Sequence, residues 1–184
     1  MKNRKTVVVA FLLVAVMLLG VGYAALTDTL TIIGNATIDM TGAQNNFDEK
    51  IYFSDADILH QGTGNKTNDQ ASFTADDATY QIHSLATKDE YATLKFEITN
   101  DSNVPVLLSV AANNPTNSNA QFFTVTYEYF TDVDLTQATT LSTPVASKDK
   151  LYVKVTVTVA DAVTSQTTGS FGLALNVTTE IPTP

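Results

Sequence analysis

Cysteine and tryptophan do not occur in this 184-residue chain, and arginine occurs once, as Arg4. Without cysteine there is no disulfide framework, no thiolate metal site, no cysteine nucleophile and no lipid-modified cysteine at a processing site. Histidine is scarce too: His60 and His83 stand 23 residues apart, and neither is followed by a metal ligand at helical spacing. A zinc peptidase needs clustered His and carboxylate ligands, commonly H-E-x-x-H on a helix, so catalytic zinc is not expected. No G-x-S-x-G elbow marks a serine nucleophile either. The chain therefore reads as a non-enzyme without metal or cofactor. Positive charge is the last scarcity. Three of the ten basic residues lie in the first five positions, which leaves seven lysines against nineteen acids, a net charge of −12, for the rest. Phosphate contacts need clustered Lys and Arg, so a nucleic-acid partner is excluded.

What is present begins with an address. Lys2, Arg4 and Lys5 precede a run of fourteen residues, Thr6–Leu19, free of charge and largely apolar, which ends in Gly20-Val21-Gly22-Tyr23-Ala24. This is the tripartite form of a secretory signal, residues 1–24, with Gly22 and Ala24 as the small residues before a cut between Ala24 and Ala25. A retained anchor would want about 20 apolar residues. The mature chain is therefore expected to be secreted, without a stable membrane anchor after cleavage. Four N-x-[ST] triplets, at Asn35, Asn65, Asn100 and Asn176, reflect an Asn- and Thr-rich composition and are not read as glycosylated.

Period-two alternation dominates the body. Ala92, Leu94, Phe96 and Ile98 alternate with Thr93, Lys95, Glu97 and Thr99, and Leu151, Val153, Val155, Val157 and Val159 alternate with Tyr152, Lys154, Thr156 and Thr158. Each set predicts a strand with one face buried and one in water. Phe171, Leu173, Leu175 and Val177 repeat the pattern, with Gly172 and Ala174 opposite, where another backbone can approach. Weaker strands are predicted at Lys50–Phe53, Thr79–Ser84, Val104–Ala111, Phe122–Phe130 and Thr139–Pro144, and a long exposed loop at Gln61–Asp77. Short strands at this spacing predict an all-β fold, an antiparallel two-sheet β-sandwich of jelly-roll or immunoglobulin-like type. The sandwich is assigned residues 35–181, with a tail at 182–184.

The start of the mature chain differs from the other strands. Apart from Asp28, every even position from Leu26 to Met40 is apolar or small, through Leu30, Ile32, Gly34, Ala36 and Ile38, a greasy face over fifteen residues and longer than an ordinary strand. Gly34-Asn35 suggests a division: Ala36–Met40 pairs inside the domain, while a segment at residues 25–34 swings out. Two readings follow. One is a first strand that completes its own sheet. The other is β-strand addition to a neighbouring subunit, with Leu26, Leu30 and Ile32 filling alternate pockets in the acceptor. Such a contact is head-to-tail and need not close, so it builds a filament. Elsewhere, Asp55 and Asp57 with Asn65, Asn68 and Asp69 could gather around calcium, although the EF-hand pattern fails and solvated acidic loops are the plainer reading. Phe122, Phe123, Tyr127, Tyr129 and Phe130 offer a sugar-binding platform; the plainer reading puts Phe123, Tyr127 and Tyr129 in the core and the other two over a sheet edge.

The run G-Y-A-A-L-T-D at Gly22–Asp28, with T-L-T-I-I-G-N-A-T-I-D after it, resembles the processing region of the TasA and camelysin-like family of secreted Gram-positive proteins cut by the SipW signal peptidase. Ala92–Val106, L-Y-V-K-V-T-V-T-V and G-S-F-G-L-A-L-N-V are similar in kind to that family's strands. The resemblance implies a jelly-roll sandwich, processing by a SipW-type peptidase, and a place in biofilm matrix or on the cell surface. It further implies head-to-tail homopolymer fibres in which the N-terminal segment of one subunit completes the next, with related matrix proteins as further partners. The body is shorter than that of the best-known fibre-former, which suits an accessory subunit. The metallopeptidase class given to camelysin-type relatives finds no ligand set here. A monomeric adhesin or carbohydrate-binding sandwich is the alternative.

Overall fold

A computed structural model describes residues 30–39, 50–112, 115–118, 120–160 and 167–179. The expected signal, the junction of Ala24 with Ala25, and Leu26 lie outside the described residues. Within them the chain forms eleven strands: β1 (Leu30–Asp39), β2 (Ile51–His60), β3 (Gln70–Phe73), β4 (Asp77–Leu85), β5 (Tyr91–Asn100), β6 (Val106–Val110), β7 (Thr116–Asn117), β8 (Phe123–Phe130), β9 (Ala138–Thr139), β10 (Lys150–Val159) and β11 (Thr167–Thr179). The first sheet runs β3-β4-β1-β11-β6, with β7 beside β11; the second runs β2-β5-β10-β8-β9. The protein is an all-β sandwich. Its ladders are antiparallel except β1–β11, which is parallel. A parallel pair needs a long crossover, and β1 and β11 satisfy that by enclosing the rest of the sandwich between them.

The alternating residues meet between the sheets. Ala92, Leu94, Phe96 and Ile98 of β5 face Val153, Val155 and Val157 of β10 across the ladder, all at most 1% exposed. Phe171, Leu173, Leu175 and Val177 of β11 and Ile32, Ala36 and Ile38 of β1 form the opposing layer. Each large aliphatic or aromatic side chain so buried contributes about 1.5–3 kcal/mol on leaving water. Phe53 and Phe96 add an edge-on ring contact, centroids 5.3 Å apart.

Several expected boundaries are corrected. The strand expected at Lys50–Phe53 continues to His60, because irregularities at Phe53/Asp55 and Ile58/His60 shift the phase of its alternation. The loop expected at Gln61–Asp77 holds a short 3-10 helix, Lys66–Asn68, and the edge strand β3. Of the strand expected at Thr139–Pro144, only Thr139 lies in β9. The outward faces of β5 and β10 are not wholly wet: Glu97 is 7% and Tyr152 8% exposed. They belong to a polar cluster in which the Glu97 carboxylate accepts from Lys150 Nζ at 2.6 Å and from the Ser54 hydroxyl.

Candidate functional site

The segment singled out by its long apolar face lies in the middle of the first sheet. β1 pairs with β11 from Leu30↔Thr167 to Asp39↔Asn176, and on its other edge with β4 from Leu30↔Leu85 to Thr37↔Asp77. Both rows of its backbone groups are thus used, as in any central strand. Ile32 is fully buried beside Ile82 and Gly169, and Ile33 points outward, 45% exposed. The ladder continues through Gly34-Asn35, so Leu30–Gly34 shares one strand with Asn35–Asp39 in the single chain.

Gly34 has a packing reason. A Cβ built there would lie 1.9 Å from Cζ of Phe171, whose ring covers the glycine on the core side. Gly169 is the mirror case, covered by the Phe123 ring. Among the described residues, the two strands that pair with β1 both follow it in the chain, and β1 joins them through residues 40–49. Ten extended residues span at most about 35 Å. A strand tethered at one end, in a slot that needs some strand for completion, is chemically suited to exchange.

A second feature is a cleft of about 410 Å³ at one end of the sandwich, lined by His60, Gln61, Thr63, Lys66, Lys88 and Tyr91 among others. His60 and Tyr91 stack with centroids 4.4 Å apart. Glu90 ties its two walls together: its carboxylate accepts from Thr63 N at 2.9 Å and the Thr63 hydroxyl, and from Ala86 N at 2.7 Å and Thr87 N at 2.8 Å. Burial raises the Glu90 pKa, but these hydrogen bonds outweigh it and hold the carboxyl down at about 2. Sequence alternation could not mark this cleft, because it is assembled from the end of β2, the 61–66 loop and the β4–β5 turn.

The residues considered for calcium do not converge. Asp55 and Asp57 are in β2; Asp55 meets Lys95 Nζ at 3.1 Å, and Asp57 accepts from Ile58 N. Asp69 accepts from His83 N, Ser84 N and the Gln61 amide, while Asn65 caps the short helix through Thr67 N. Among the described residues no three His, Cys, Asp or Glu side chains gather about a point. Of the aromatics on β8, Phe123 is fully buried, and Tyr127 and Tyr129 pack half-buried against the core. Phe130 is 7% exposed and lies opposite Tyr152, so it is not an open platform. No protein-family model matches this chain, and no curated protein matches it.

Proposed function

We propose that this chain is a secreted structural subunit of the extracellular matrix or cell surface, and that it polymerises head to tail by exchanging β1 between copies. The observation that carries this is the position of β1: a ten-residue central strand, paired on both edges and tethered to its partners at one end only. Replacing it by the same strand of a second copy conserves its ladder hydrogen bonds and apolar contacts, so the two arrangements differ little in contact energy. On this reading the cut between Ala24 and Ala25 releases the donor segment, with Leu26 and Leu30 leading and Ile32 as the buried anchor. The TasA and camelysin-like resemblance and SipW-type processing belong to the same proposal, as does a non-catalytic role. Leu30 and Ile32 stand in the ladder of the single chain, so donation requires them first to leave their own slot.

The absence of cysteine makes the test clean. Thr37 and Ala174 are register partners on β1 and β11, and adjacent strands lie about 4.7–4.9 Å apart, within the Cα separation that a disulfide spans. In a chain carrying Thr37→Cys and Ala174→Cys, exchange links different subunits, and a non-reducing gel of oxidised filaments shows a ladder. A monomer band alone from assembled material would sink the reading. The second reading, a carbohydrate-binding module, is favoured by the stacked His60–Tyr91 pair in the cleft. A glycan screen in which Tyr91→Ala abolishes a hit would move the weight to it.

A further inference from the structure

On the core side of the first sheet, three successive pairings of β1 with β11 set a large residue against a small one, before Ile38 meets Leu175. Ile32 lies beside Gly169, Gly34 beside Phe171 and Ala36 beside Leu173. Across the other edge Gly34 lies beside Tyr80, and Ala36 beside Ala78. Gly34 is thus flanked by two aromatic residues, Phe171 at 4% and Tyr80 at 1% exposure. The Phe171 ring occupies the place of a side chain at position 34: a Cβ there would be 1.9, 2.3 and 2.5 Å from three of its carbons. Ordinary carbon contacts are about 3.5–4.0 Å, and a packed interior has no spare volume into which a buried ring can retreat. Tyr80 is held as well, since its hydroxyl donates to the Lys95 carbonyl at 2.6 Å.

Resting on the strand-exchange reading, we propose that the slot between β4 and β11 is selective: it admits the Ile32–Ile38 segment of a second copy of this chain because that segment carries glycine opposite Phe171. The recognised pattern is I-x-G-x-A-x-I. Phe171 is the gate, and Gly34 is the notch that passes it. The same pair sets the register. A slip by two residues brings Ile32 or Ala36 opposite Phe171, and a slip by one turns the apolar face to solvent. Every junction in a filament then has the same alignment, and side chains larger than hydrogen at the notch are refused.

The test uses the full chain carrying Gly34→Val, whose own β1 no longer seats, and fluorescent peptides of residues 30–39 with Gly or Val at position 34. The Gly peptide is expected to bind this variant at least tenfold more tightly than the Val peptide does, and to restore its thermal transition if the variant is unfolded alone. Adding Phe171→Ala to the Gly34→Val chain removes the gate. Its own strand then seats again, the transition returns without peptide, and uptake of the Gly peptide falls at least tenfold. Equal binding of the two peptides, or no recovery from either the Gly peptide or Phe171→Ala, overturns the gate. The cysteine ladder separates the two failures: a ladder with equal peptide binding leaves exchange standing and removes selectivity, whereas no ladder removes both.

Discussion

Asn100 shows how much one side chain can hold in this protein. It is 1% exposed; its amide donates to the Val104, Val145 and Ala146 carbonyls at 2.9–3.0 Å and its oxygen accepts from Ser102 N and Oγ. One of the four glycosylation triplets is therefore a knot joining the β5–β6 turn to the segment before β10, and its nitrogen is fully engaged. Asn100→Ala takes the acceptor from the buried Ser102 N and removes one of two partners from each of the Val104, Val145 and Ala146 carbonyls, which keep Ser102 Oγ, Val106 N and Asp149 N, so we expect a loss of about 1–3 kcal/mol in a urea titration. Glu90 has a pH signature. Its folded pKa, about 2, lies below the usual 4.5, so its contribution is complete above pH 4.5 and is lost as pH falls toward 2. In denaturation series across that window, Glu90→Gln should be less stable than the parent at neutral pH and should show a shallower decline in acid. Parallel curves would contradict the assignment.

At the scale of the element, β1 is where local and tertiary demands meet. Ile32→Ala removes a fully buried side chain from the sheet centre, and a cost of about 2–4 kcal/mol is expected. The outward-facing Ile33→Ser should cost under about 1 kcal/mol, because that side chain is already 45% exposed. A chain beginning at Asn35 lacks Ile32 and Gly34 and leaves half of the slot between β4 and β11 unfilled. It should stay monomeric and unfold at lower denaturant than the chain beginning at Ala25. Filaments from the shortened chain would place the assembly surface elsewhere than β1. In β2 the alternation is broken: the irregularity at Phe53/Asp55 moves the inward side from Ile51 and Phe53 to Ala56 and Ile58, and beyond Ile58 both Leu59 and His60 are exposed.

Charge acts at the scale of the whole molecule. The net −12 beyond the first 24 residues is distributed against few lysines, and four of those, Lys95, Lys148, Lys150 and Lys154, already pair with Asp55, Asp101, Glu97 and Glu128. Copies brought end to end therefore repel. Filament yield, measured by sedimentation and electron microscopy, should rise as pH is lowered from 7 toward 4.5 and as salt is added. Below that range, the loss of the Glu90 contribution opposes further gain. A yield indifferent to both variables would remove the electrostatic account without touching strand exchange.

Composition and period-two patterning were enough, by themselves, for the sandwich class, the inward faces of β5, β10 and β11, and the singularity of the first strand, since burial of alternate residues is a local constraint written along each strand. Tertiary structure alone decided that β1 sits at the centre of its sheet, between β4 and a parallel β11, because strand neighbours are chosen by contacts between residues far apart in the chain, such as Thr37 with Asp77 and Leu30 with Thr167. It likewise decided that Gly34 faces Phe171 and that Glu90 spans a cleft. No periodicity along the chain encodes which ring will lie over which glycine; only the docking of β1 between β4 and β11 brings that pair together.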